Sequence, residues 1–100
     1  MSKTFAEALR EDRRLVLLRI LHEQPSYTMN SSNLHKGLEY YHVPASRDDV
    51  ITDIHWLGDQ GLMKVDELVD GVYGCTLTSR GDDVARGRVT VPGVARPGVR

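Results

Sequence analysis

The stretch SRDDVITDIHWLGDQGLMKVDELVDGVYGCTLTSRG, residues 46–81, decides the fold. It opens on Ser46, whose hydroxyl can accept a free amide of a helix's first turn, and Asp48 and Asp49 follow where the helix dipole favours acids. Val50, Ile54 and Leu57 then recur at i, i+4, i+7, the apolar stripe of a helix that Gly61 can end in the left-handed conformation. Two β-prone runs come next, Leu62–Leu68 and Val72–Leu77, split by Val69-Asp70-Gly71. Asp-Gly between such runs signals a hairpin, because both residues accept the positive φ of a type I′ turn. Thr78 is an N-cap for a last helix that carries Val84 and Ala85 and ends near Arg86-Gly87.

Upstream, good helix formers run from about Lys3 to Glu23, with Pro25 closing the element. Phe5 and Leu9 begin an apolar stripe that broadens to Leu17, Leu18, Ile20 and Leu21, the wide face of a core helix. Ser26–Met29 is a short β-prone piece, and Asn30-Ser31-Ser32 can cap a second helix from about Ser32 to Tyr41, which carries Leu34 and Leu38. His42–Ala45 is a tight connection. Downstream, RVTVPGVARPGVR (88–100) has no helical period and reads as an extended tail, mobile unless it docks on a partner. The expected order is helix, short strand, helix-turn-helix, hairpin and C-terminal helix. That is an α+β winged helix-turn-helix over 1–88, with an extended basic tail over 89–100.

One hundred residues suit one domain with a single core, and 40% apolar and 27% charged residues place the chain among globular proteins. The longest apolar run, Leu15–Leu18, is too short for a membrane span, and the acidic start does not resemble a signal peptide. The single cysteine, Cys75, suits a reducing cytoplasm. A net charge of −1 argues against nucleic-acid binding by bulk electrostatics. Positive charge is concentrated at the two ends of the chain, whereas 46–77 sets Arg47 and Lys64 against Asp48, Asp49, Asp53, Asp59, Asp66, Glu67 and Asp70.

Val50-x3-Ile54-x2-Leu57-x3-Gly61-Leu62, a hairpin, and then Leu77-Thr78-x2-Gly81 resemble winged-helix regulators of the multiple-antibiotic-resistance and arsenic-repressor types. In those families the third helix ends at a Gly-Leu that starts the wing, and a Leu-Thr-x-x-Gly step leads out of it. Glu11-Asp12-Arg13-Arg14-Leu15 and Val91-Pro92-Gly93-Val94-Ala95-Arg96-Pro97 resemble a group of small Mu-like prophage proteins, and this likeness spans nearly the whole chain. The resemblance implies a phage setting and a winged-helix regulator, with no stated mechanism.

For double-stranded DNA, the side of the third helix opposite Val50, Ile54 and Leu57 would face the bases. It carries Thr52, His55 and Trp56, but also Asp48, Asp49 and Asp59, and acids oppose a phosphate-rich groove. The expected contacts are Lys36, Arg47, Thr52, His55, Lys64, Arg80, Arg86 and Arg88, joined by Arg96 and Arg100 of the tail. The alternative is a phage or host protein adaptor that keeps the fold without binding DNA. Trp56, Tyr40 and Tyr41 would then be its interface aromatics, although Trp56 is better read as packing under the wing or against the first helix. The long first helix is a candidate for homodimerisation, or simply core.

Catalysis and cofactors are not expected. His22, His35, His42, His55 and Cys75 show no metal-ligand spacing, and there is no nucleophile elbow or phosphate loop. Asp48, Asp49 and Asp53 read as dipole-stabilising and solubilising acids at a helix start, not as an acid–base pair.

Overall fold

A computed structural model of the chain describes residues 2–98. Helix α1 spans Phe5–Glu23, strand β1 Thr28–Asn30, α2 Ser31–Tyr40, α3 Arg47–Asp59, β2 Met63–Val69, β3 Val72–Leu77 and α4 Ser79–Ala85. The three strands form one antiparallel sheet in the order β1-β3-β2. This is an α+β winged helix-turn-helix, in which α2 and α3 form the helix pair and β2-β3 the wing.

Each helix begins where a side chain satisfies amides that have no intrahelical partner. Thr4 caps α1 in a reciprocal box with Glu7, Asn30 accepts from the Asn33 amide at 2.8 Å, and Ser46 boxes with Asp49. The Thr78 hydroxyl accepts from the Gly81 amide at 3.0 Å and donates to the Gly61 carbonyl at 2.7 Å, so one residue starts α4 and ties it to the end of α3. The core is made of Leu17, Leu18 and Leu21 from α1, Leu34 and Leu38 from α2, Ile54 and Leu57 from α3, and Leu62, all fully buried. Ile54 and Leu57 point inward while Asp49 and Thr52 are exposed, as the apolar stripe of α3 requires.

Three details differ from the sequence reading. Phe5 and Leu9 belong to α1 but not to the core: they are 78% and 46% exposed, because the first turns of α1 extend past the elements that cover Arg14 onward. The wing turn is not type I′: of the Asp70-Gly71 pair only Gly71 has positive φ (75°), and a register shift between Glu67 and Val69 takes up the twist. Residues 88–98 contain no helix or strand, yet Val91 and Val94 are buried on the core and the Ala95 amide donates to the Glu11 carbonyl at 3.1 Å. Trp56 takes the packed alternative offered by the sequence: it is half-buried beneath Arg14 of α1 and this C-terminal segment.

Candidate nucleic-acid interface

The face a winged helix would present to a duplex is built by α3 and the wing. Ser46 sets the start of α3, and its backbone amide and hydroxyl hold the Asp49 carboxyl below the usual carboxylate range. Arg47 is exposed at the first position, and its guanidinium donates at 2.9 Å to the Gly71 carbonyl at the wing tip. The wing therefore folds back along α3, and Arg47 already uses part of its donor set within the chain. Between them lies an open groove of about 390 Å³ bordered by His55, Asp59, Lys64, Glu67 and Tyr73. His55 and Tyr73 meet edge to face with their ring centroids 4.7 Å apart.

Of the residues expected from sequence, Arg47, Thr52, His55 and Lys64 are brought to this face, and all four are exposed. So are Asp48, Asp59, Asp66, Glu67 and Asp70, which surround them with negative charge. Lys36 is exposed on α2. Arg80 is exposed on α4, two positions after Thr78 and therefore at the end of α3 opposite to Arg47. Along α3 that separation is about 20 Å, at 1.5 Å per residue. Arg86 pairs with Asp82 at 2.9 Å and Arg88 with Asp83 at 3.6 Å, so both enter the surface field partly neutralised. Arg96 is exposed, and Arg100 lies outside the described residues.

Tyr40 and Tyr41 stand elsewhere, stacked edge to face at the end of α2, where the Tyr41 hydroxyl donates to Glu23 of α1 at 3.0 Å. The histidines are spread through the molecule. His22 contacts Asp82 at 2.7 Å, His35 contacts the Ala45 carbonyl at 2.8 Å, and no group of three metal-ligating side chains converges among the described residues.

Sequence reasoning missed the buried ionic node behind α3. Asp53 is 1% exposed and lies between Arg13 and Arg14 of α1, both of which donate to its carboxylate. Arg14 also donates to the Gly93 carbonyl at 3.1 Å and lies over the Trp56 ring at 3.9 Å. One arginine thus clamps α1, α3 and the C-terminal segment together. A signal was present: at 100° per residue, position 53 falls on the same stripe as Val50, Ile54 and Leu57, so its carboxylate had to be buried and paired.

No family model matches the chain. The uncharacterized protein gp26 of Escherichia phage Mu is 48% identical over 91 residues, covering 91% of this chain and 93% of that protein. The chain belongs to the phage Mu gp26 family. A second relative, an uncharacterized protein of Haemophilus influenzae, is 40% identical over 77 residues, 77% of this chain and 74% of that one. Among solved structures, a chain of the complex structure of hsRosR-S4 superposes with a TM-score of 0.62 at 20% identity, over 78% of this chain and 71% of that chain. This gp26-family chain therefore shares that fold. Among the described residues, no helix of this gp26-family chain is long and apolar enough to cross a membrane.

Proposed function

We propose that this gp26-family protein binds double-stranded DNA without catalysing a reaction, in transcription regulation or in phage DNA packaging and development. The observation that carries this reading is the winged-helix face itself. Helix α3 lies exposed beside a wing held against it, in a fold like that of the hsRosR-S4 chain. In this reading Thr52 and His55 meet bases, while Arg47, Lys64, Lys36 and Arg80 meet phosphates, supported at the rim by Arg86 and Arg88; the exposure of all eight side chains supports it.

The acids around α3 limit the number of phosphates such a surface can neutralise to about three. Binding to random duplex DNA should therefore be weak, with a slope of log K against log salt of about −2.7, or about a 40-fold loss between 50 and 200 mM salt. Fluorescence anisotropy with a labelled duplex measures both quantities. Arg80→Ala and Lys36→Ala should each flatten the slope by about 1. A chain that gives no anisotropy change at about 50 mM salt is not a DNA-binding protein.

A second reading, an adaptor for a phage or host protein, is favoured by one specific observation. Asp48, Asp59, Asp66, Glu67 and Asp70 outnumber the free cations on the very face that DNA would use. In that case the same titration is silent, and a basic partner binds with an affinity that falls when Asp66 and Glu67 are replaced by Gln.

A further inference from the structure

The overhanging start of α1 leaves large apolar side chains facing solvent on a helix whose other side is core. Phe5 is 78% exposed and Leu9 46% exposed. At 100° per residue, Phe5, Leu9, Asp12, Val16, Arg19 and Glu23 fall within about 100° of arc, a single face running the length of the helix. The C-terminal half of that face is not flat. With Tyr41 and Val43 it forms a groove of about 380 Å³, floored by Val16 and Ile20 and flanked by Asp12, Arg19 and Glu23. One helix therefore carries an apolar ridge at one end and an apolar groove at the other, on the same side.

We propose that the occupant of this face is a second copy of the chain, docked with the two α1 helices antiparallel. A two-fold contact requires one patch to be complementary to itself, and a ridge and a groove in series on one face meet that requirement only when the copies run in opposite directions. An axis crossing between Leu15 and Val16 sets Leu9 of each copy over the turn containing Ile20 and Glu23 of the other, and Phe5 beside Tyr41 of the other. The charges agree with the same axis. Asp12 then faces Arg19 of the second copy twice over, whereas a parallel pair would set Asp12 against Asp12. Arg19 is exposed and forms no ion pair among the described residues, so it is free for such a contact. The face is about 28 Å long at 1.5 Å per residue, and with Tyr41 and Val43 it buries on the order of 1,000 Å² in all. That is the lower end for a specific interface, so the dimer is reversible and concentration-dependent.

Sedimentation equilibrium of the full chain over about 1 to 200 µM, with circular dichroism to check folding, tests this. The expected result is a monomer–dimer equilibrium that Phe5→Ser together with Leu9→Ser weakens at least about ten-fold, at unchanged helicity, since neither side chain is core. Asp12→Arg alone and Arg19→Asp alone each weaken it, and the two combined restore it to within about three-fold of the original, because exchanging the charges re-forms both contacts. A chain that stays monomeric throughout overturns the proposal. So does a dimer indifferent to the Phe5/Leu9 pair, or one that the combined charge exchange fails to restore.

Discussion

Asp53 shows how a residue that looks like surface charge can be structural. Its carboxylate is the only acid on the inward stripe of α3 and is held by Arg13 and Arg14, so replacing it leaves two guanidinium groups facing a buried site with no counter-charge. Asp53→Ala is expected to cost about 3 kcal/mol or more in urea unfolding, well beyond a surface substitution such as Asp48→Ala, which should stay within about 0.5 kcal/mol. The helical period made the burial of Asp53 legible. Its partners were not legible, because Arg13 and Arg14 lie 40 and 39 positions away and nothing local pairs them with it. Cys75 is simpler: burial pushes its thiol up to about 12 from 9.0. The thiol stays protonated in the folded chain while the unfolded one ionises, so the folded state binds more protons between those values and loses stability as pH rises through that window. Native protein at pH 8 should resist thiol reagents until denaturant is added; rapid modification without denaturant would contradict this burial.

At the scale of elements, the short motifs acquire physical reasons. In Leu77-Thr78-x2-Gly81, Leu77 packs on the core, Thr78 caps α4, and Gly81 lies so close to the backbone leading from α3 into β2 that a Cβ there would meet the Leu62 carbonyl oxygen at 1.9 Å. Gly81→Ala must displace α4 from the wing base, and a loss of about 3 kcal/mol or more is expected in thermal or urea unfolding. Gly61→Ala is the control. It meets nothing within 4 Å and is strained only by its φ of +74°, so a loss of about 1 kcal/mol is expected. Should Gly81→Ala prove no worse than Gly61→Ala, the close approach is not what Gly81 provides. Elements fixed by such local chemistry were readable in advance: the caps at Asn30, Ser46 and Thr78 and the stop at Gly61 depend on neighbours within four residues. The exposed start of α1 was not readable, because Phe5 and Leu9 continue the helical period correctly and only the extent of the other elements decides whether anything covers them. The wing turn failed for a related reason, since the bulge in β2 supplies twist that a type I′ turn would otherwise provide.

Across the whole molecule, the segment after α4 contributes as the elements do. Val91 and Val94 are buried, the Gly93 carbonyl receives Arg14, and Gly93 itself lies so close to Trp56 that a methyl group there would come within 2.6 Å of the ring. Removing residues 91–100 should lower unfolding free energy by about 4 kcal/mol, from two valines and two hydrogen bonds, which is a large share of the stability of a small domain. Calorimetry of the truncated chain checks it, and an unchanged midpoint would mean that the segment contributes nothing. Composition identified these residues as proline- and glycine-rich but could not show that they return to α1. Arg14 and Gly93 are 79 positions apart in a chain of 100. A nascent chain can form α1 early, yet the segment that seals that helix is made 79 positions after Arg14. The flank of α1 therefore stays open until the segment around Val91–Ala95 has been synthesised, and a stop upstream of Val91 would leave an apolar surface prone to aggregation.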